Sequence, residues 1–592
     1  MSSVVARIAQ IVRQRRLLGI AWLFIPAFFL GLTWYGLTAP VSDSCRFLGR
    51  PFSDAGNYLD GATRLTYGMS LPLVPANRPL YSVYLSTWLE VTGHSLIWTF
   101  MLQALIVAGG ICWFCWHVAR EHGRIVSLVA GFVVTAFFVR FAGKTMSETL
   151  GFPLGLLSWG WLLAWVRSEQ RWQLFVSYFA LTLGLMARAG PFFILPAILI
   201  ALVRQRGLRR SFTTVAVLSL AVALPVALHR AYHLAWSTQT GGGFSNFAYT
   251  LYGVARGGKG WRYAYAVVPG AVTSTQVVYR AAIDSIIHQP QLFVFGALKS
   301  VAEFLYPNLG CATGFTCRVV PGRLQPLVWA VTQLSFLFGS WRVLRSAKMG
   351  RSRLDSIYCW SLLGLLASVP FAPPSDADLM RAYATAIPLL AIVTGLGVQE
   401  FVDRVFKLPD TKASVSLTAN EGGGVAEQRF IAGFPCAILA LTLICLLRPL
   451  LRVHANPVQF GDGEHFLDSP TTVPNTTSVE CGPNHYQLDI LSVSHTTRLA
   501  SRAYVEHLQA KSFSSPRMFE PLKPVVEKAG PLDYQTGFVS QTGNTWALLV
   551  PPALQQRLQL PNGPIKICAE KLDSSSSGAD GVLHALLVKT VL

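Results

Sequence analysis

The chain has 592 residues, of which 52% are hydrophobic and only 13% charged. Soluble domains carry roughly 25% charged residues, so a purely soluble fold is excluded and an α-helical polytopic membrane protein is indicated. The net charge of +20 does not point to nucleic acid, because the Arg and Lys residues sit in short clusters between apolar runs, the arrangement of the positive-inside pattern.

In chain order, Arg7, Arg13, Arg15 and Arg16 precede the first apolar run, residues 17–39. That run is long enough to span and lacks a small-residue cleavage site, so it reads as an anchor with a cytoplasmic N-terminus. Further apolar runs occupy 96–118, 125–141, 149–166, 174–186, 192–203, 212–228, 324–341, 357–371, 384–398 and 430–447. The expectation is about eleven spans. An odd number places the C-terminus on the extracytoplasmic side, in a bacterial inner membrane. Two polar stretches become outer loops, 40–95 and 229–323, and residues 291–306 of the second have the pattern of a helix lying along the membrane surface. The membrane domain is expected over 1–455. From 456 to 592 the composition turns polar, with short β-favouring runs such as TWALLVPP and IKICAE, which predicts a small, mostly β, soluble extracytoplasmic domain.

The cysteines divide by position. Cys112, Cys115, Cys359, Cys436 and Cys445 fall in apolar runs and read as packing residues. Cys311 and Cys317 share one outer loop, and Cys481 and Cys568 share the C-terminal region, on the side where disulfides persist. None of the spacings resembles a zinc site.

The stretch PFSDAGNYLDGATRLTYGMSLPLVPANRPLYSVY, residues 51–84, is too polar to span. It carries two carboxylates, Asp54 and Asp60, six positions apart, about 600° of helical rotation, so one helix presents them on different sides. Asp54 suits a helix N-cap as well as a catalytic base. Asp60 is either a second functional carboxylate or a solvated helix position. Glu148 and Lys144 lie at the mouth of the run at 149–166, where a charge near hydrocarbon is costly; they either contact substrate or form a snorkelling interfacial pair. Arg188 and Arg381 interrupt apolar sequence on the outer side, against the positive-inside trend, and guanidinium suits phosphate. Pairing with Asp376 or Asp378 is the structural alternative for Arg381. Arg78 and Tyr81 are further candidates, Arg78 with an alternative role as an interfacial anchor. The Gly-rich segment 253–261 follows no strand and lacks the Lys-Ser/Thr ending of a phosphate-binding loop, so it is not assigned to a nucleotide.

The succession SDAGNYLDGA, RPLYSVYLS, KTMSETLGFPLG, LMARAGPFFILPA and an outer turn with Arg381 before Pro388 resembles the polytopic glycosyltransferases of the GT-C fold, which include protein mannosyltransferases and lipid A aminoarabinose transferases. The resemblance covers roughly residues 17–400. It implies a polyprenyl-phosphate sugar as donor, transfer to a glycan, lipid or protein acceptor on the extracytoplasmic face, and a catalytic acid in the first outer loop, at the position of Asp54. A carboxylate there deprotonates the acceptor hydroxyl or holds a metal beside an oxocarbenium-like transition state. A divalent metal is left open, because the adjacent acidic pair of some relatives is lacking. Three other classes stay in view, one of them a non-enzymatic assembly protein whose C-terminal domain binds glycan or partners. An O-antigen ligase- or polymerase-like enzyme rests on outer Arg and His residues. A transporter without chemistry needs charges near the middle of spans and repeat symmetry.

Overall fold

The computed structural model describes residues 25–33, 54–305 apart from short breaks, 325–374 apart from position 351, 380–405, 425–452 and five strands between 486 and 591. Asp376, Asp378, Cys311, Cys317 and Cys481 lie outside the described residues.

The first described helix is α1 (residues 25–33). The first stretch expected as an outer loop is built of three helices, α2 (Asp54–Thr66), α3 (Leu73–Asn77) and α4 (Pro79–Val91). Pro79 opens α4, where its missing N–H costs nothing. Ser95 then caps α5 (Leu96–His122) by accepting from the Trp98 amide, and Gly123, at φ 88°, turns the chain into α6 (Arg124–Phe138). Next come α7 (Glu148–Ser168), α8 (Arg171–Ala187), α9 (Ile194–Arg206) and α10 (Leu208–Trp236). The second expected outer loop is helical too: α11 (Ser245–Ala255), α12 (Tyr263–Val267), α13 (Thr275–His288) and α14 (Pro290–Leu305). The membrane-type helices resume with α15 (Gln325–Lys348), α16 (Arg353–Ser368), α17 (Ile387–Val405) and α18 (Val425–Arg452). A 3-10 turn over Val369–Phe371 follows α16, and another over Arg381–Ala386 leads into α17.

Among the described residues six helices are long and apolar enough to cross a membrane: Leu96–His122, Glu148–Ser168, Phe212–Trp236, Leu327–Lys348, Arg353–Phe371 and Arg381–Val405. Shorter apolar helices cover Arg124–Phe138, Ile194–Gln205 and Pro435–Pro449. The outward faces of α10 and α15 are apolar, with Phe212, Leu220, Leu224, Leu327, Val331 and Leu334 all exposed. Water does not favour such faces, and hydrocarbon does. In α14, Val294, Phe295 and Leu298 are likewise exposed while Gly296 and Ser300 are buried.

Helix α7 is the central strut. Phe152 and Leu156 enter one large apolar core, with residues of α5, α6, α9, α16 and α17. Leu150, Leu154 and Leu157 enter a second, with residues of α2, α4, α5, α8 and α18. Without water, helix association depends on close contact between small residues. At the crossing of α15 and α17, a Cβ added at Gly339 would lie 1.9 Å from the Val393 carbonyl oxygen, and one at Gly397 would lie 1.9 Å from that of Ser335. Gly339→Val is therefore expected to prise these helices apart and lower stability by about 1–3 kcal/mol or more. Thermal unfolding in detergent measures it, with Gly31→Ala, where an added Cβ meets nothing within 4 Å, as the unaffected control.

The basic helix ends are joined at one end of the bundle. Arg167 pairs with Glu121 at 3.8 Å, Arg353 with Glu169 at 2.5 Å and Arg342 with Glu400 at 3.8 Å. Gln205 donates to the Arg353 carbonyl at 3.0 Å, and His122 meets the Tyr358 hydroxyl at 2.9 Å. The N-terminus of α7 lies at the other end, about 30 Å away along the helix.

Strands β1 (Tyr486–Leu499), β2 (Leu532–Val539), β3 (Asn544–Val550), β4 (Ile565–Leu572) and β5 (Ala585–Val591) close into a barrel in the order β1-β2-β3-β5-β4. Strand β1 pairs antiparallel with both β2 and β4, and β3 pairs parallel with β5. Register shifts along β1 give a long strand the bend that closure needs. Closure leaves no edge for association. Cys568, in β4, is disulfide-bonded, with its partner outside the described residues. Cys112, Cys115, Cys359, Cys436 and Cys445 are free thiols.

Candidate functional site

Three charged residues far apart in sequence meet at the N-terminal end of α7. Glu148 is the first residue of that helix and is fully buried. Arg381 donates from Nε to Glu148 Oε1 at 2.6 Å, and Arg188 Nε lies 3.5 Å from the same oxygen. Both guanidinium side chains are more than nine-tenths buried. The Ser147 hydroxyl lies 3.5 Å from Glu148 Oε2, and Arg381 Nη2 lies 3.6 Å from Met146 Sδ. Among the described residues, two guanidiniums thus converge on the Glu148 carboxylate in a region of low dielectric, where each charge is costly to strip of its partners.

Local backbone features hold each member in place. Glu148 benefits from the positive end of the α7 dipole. Arg188 ends α8 in an extended conformation, so its side chain leaves the helix line at the bundle mouth. Met380, just before Arg381, has φ 66° and is buried. A left-handed conformation is uncommon for a residue with a Cβ, and here it turns Arg381 inward. Tyr383 anchors the same turn by donating to the Ala372 carbonyl at 2.7 Å.

Gly155, in GFPLG, and Gly190, just past α8, explain how the backbones come so close. A Cβ at Gly155 would lie 2.4 Å from the Thr385 carbonyl oxygen, and one at Gly190 would lie 2.0 Å from that of Ala382. Thr385 donates to the Gly151 carbonyl at 3.3 Å. Helix α7, the segment just past α8 and the Arg381 turn are therefore in backbone contact beneath the ion cluster. Gly155→Ala is expected to separate Arg381 from Glu148 and cost about 1–3 kcal/mol, read as a lowered unfolding midpoint together with lost function.

The other sequence candidates fall around this centre. Tyr81, on α4, is fully buried, and both Glu148 and Thr149 are near enough to act on its phenol. Burial, with the Glu148 carboxylate adding to it, holds that phenol well above its ordinary range, so Tyr81 keeps its proton. Arg78, the residue before α4, is half-buried and near enough to Arg188 for their charges to repel. Lys144 is half-buried in the turn before α7. Asp60 accepts from Arg64 Nε at 3.2 Å, four residues on along α2, and Arg64 is buried. Asp54 begins α2, and its side chain lies outside the described residues. Among the described residues no three His, Cys, Asp or Glu side chains gather as a metal donor set.

Sequence reasoning missed Tyr58 on α2 and Gln103 on α5, both buried beside the cluster. A polar Gln in the apolar run of α5 was a signal available for the second.

The Gly-rich segment after α11 is a closed turn. The amides of Gly258 and Lys259 both donate to the Gly253 carbonyl at 3.0 Å, and Lys299 Nζ donates to the Gly258 carbonyl at 2.8 Å. Gly257, Gly258 and Gly260 take positive φ, which glycine adopts without strain.

No protein-family model matches the chain, and no curated protein matches it. Among solved structures it is similar to those of the Archaeoglobus fulgidus oligosaccharyltransferase. One is AglB in complex with an inhibitory peptide and a dolichol-phosphate, at TM-score 0.38 and 11% identity, covering 77% of this chain and 58% of that one. A second, in complex with Zn and sulfate, has TM-score 0.36 and 11% identity over 76% and 56%. A third, tethered to an acceptor peptide containing the NVT sequon, has TM-score 0.34 and 13% identity over 72% and 55%. The chain therefore spans a little over half the length of the structures it matches. These neighbours are oligosaccharyltransferases of the GT-C fold; the likeness is distant, and the functional reading rests on the chain's own site.

Proposed function

We propose that this chain is a membrane glycosyltransferase that moves a sugar from a polyprenyl-phosphate donor to an acceptor hydroxyl on the extracytoplasmic face. The observation that carries the reading is the meeting of Arg188, Arg381 and Glu148 at the mouth of α7. Two guanidiniums held by one buried carboxylate are positioned to take a phosphate at the membrane boundary, where a lipid-linked donor presents it. Glu148 keeps them in place.

In the reaction, the acceptor oxygen attacks the anomeric carbon as the bond from that carbon to the phosphate oxygen breaks. Asp54 takes the acceptor proton, and the polyprenyl phosphate leaves with its charge against Arg188 and Arg381. A phosphate leaving group needs little protonation, so one base suffices and the anomeric centre inverts. Asp60, paired with Arg64, serves to hold α2 rather than to act on substrate. The chain crosses the membrane about eleven times, with its basic helix ends cytoplasmic. The barrel lies outside, in agreement with the disulfide at Cys568.

The test is transfer from radiolabelled undecaprenyl-phosphate mannose, glucose and arabinose in membranes carrying the wild type, Arg188→Gln or Arg381→Gln. The expected result is transfer by the wild type from one of these donors, with the donor KM raised about ten-fold or more in each variant, because a hydrogen bond between charged groups is lost. Transfer that keeps its wild-type donor KM in both variants would remove the arginines from donor binding. Absence of transfer from every donor would overturn the reading.

A further inference from the structure

Buried polar groups nearly always have hydrogen-bond partners, and those without one call for an explanation. Three such side chains are grouped beside the ion cluster. Tyr58 and Tyr81 are 0% exposed and Gln103 is 3% exposed. Neither phenol hydroxyl, and neither the oxygen nor the nitrogen of the Gln103 amide, has a partner in hydrogen-bond geometry among the described residues. The two tyrosine rings meet edge to face, with centroids 5.3 Å apart. Thr149 and Gln103 approach the Tyr81 phenol closely enough to act on its hydroxyl, though outside full hydrogen-bond geometry, Glu148 acts on it through its charge, and Tyr58 is near Arg188. Three elements, α2, α4 and α5, each contribute one member.

Packing alone does not account for these residue types. Phe at 58 and 81 and Leu at 103 would fill nearly the same space without leaving polar atoms stripped of water. Each orphaned group costs about 1–3 kcal/mol. The group carries no formal charge. It offers two phenols, each a donor and an acceptor, and one amide with both functions. Its complement is a neutral molecule bearing several hydroxyls, and it adjoins the guanidiniums assigned to a phosphate.

We infer that Tyr58, Tyr81 and Gln103 form a neutral polar subsite for the hydroxyl groups of the donor's sugar ring, beside the phosphate held by Arg188 and Arg381. The inference rests on the donor proposed above. It divides the labour within one site: arginines for the phosphate, and phenols and amide for the sugar. Specificity among sugars then resides in α2, α4 and α5, because a site built to bond a hydroxyl discriminates against a ligand lacking it.

The experiment compares two kinds of probe on purified protein in nanodiscs. One is undecaprenyl phosphate, and the other is undecaprenyl phosphate carrying mannose, glucose or arabinose. Affinities are measured for the wild type, Tyr58→Phe, Tyr81→Phe and Gln103→Met. The expected result is that one sugar-bearing lipid binds the wild type more tightly than bare undecaprenyl phosphate. The Tyr81→Phe or Gln103→Met variant then weakens that lipid about ten-fold, leaving bare undecaprenyl phosphate unchanged. Unfolding midpoints should hold or rise, because an orphaned group is replaced by an apolar one. If sugar-bearing and bare lipids lose affinity equally, or not at all, the subsite is overturned while the donor reading stands. A lowered midpoint with unchanged sugar preference would overturn it too, by marking the three groups as members of an internal water network. Failure of every lipid to bind the wild type would overturn the donor reading, and this inference with it.

Discussion

Glu148→Gln is expected to destabilise the protein by about 3–5 kcal/mol and to abolish transfer. The carboxylate is fully buried, and Arg381 and Arg188 both converge on it, at 2.6 and 3.5 Å. Removing its charge takes from two buried guanidiniums the carboxylate on which both converge, in a low-dielectric setting. An uncompensated buried charge is costly, whereas a complete ion pair contributes little net stability over an apolar substitute. The double variant Glu148→Gln/Arg381→Met should therefore recover much of the lost stability and none of the activity. Thermal unfolding and donor transfer, measured on the two single variants and the double, form a cycle that isolates the coupling. If Glu148→Gln alone unfolds at the wild-type temperature, the carboxylate is not the counter-charge of the arginines.

Asp54→Asn is expected to lower transfer by about 10²–10⁴-fold with folding unchanged. The substitution separates the two roles a carboxylate has at the start of α2. Asn satisfies helix-start amides about as well as Asp, so a capping role survives the change, and a base does not. Asp54→Ala loses both. The measurement is initial rate at saturating donor, alongside the unfolding midpoint. Equal rates for wild type and Asp54→Asn would take the residue out of the mechanism.

The three charges of the ion cluster were legible in the sequence for one physical reason. A charge embedded in apolar residues is expensive, so each stood out as needing a purpose. Their mutual contact was not legible, because Glu148, Arg188 and Arg381 are separated by 40 and 193 positions and no local rule joins them. The partner of Asp60 was available: Arg64 is four residues on, the spacing of helical neighbours. Tyr58 escaped notice because a tyrosine in a mixed stretch looks the same whether its hydroxyl is bonded or bare. Within the two polar stretches, the helix pattern over 291–306 was legible and corresponds to α14, whereas α3 and α12 were not, since helices of five residues have too few turns to show a periodicity.

Composition and the order of residues were enough to establish a helical membrane protein, its apolar segments, and the few charges that interrupt them. Those properties follow from the cost of placing a charge in hydrocarbon, and they need no knowledge of neighbours. Packing in three dimensions was needed to show that α7 stands between two cores, that Gly155 and Gly190 bring three backbones into contact, and that two arginines converge on Glu148. Close packing and ion pairing are relations between distant residues. They exist only once the helices have chosen their neighbours, and that choice is made by fitting small residues against backbone rather than by any periodicity within a single segment.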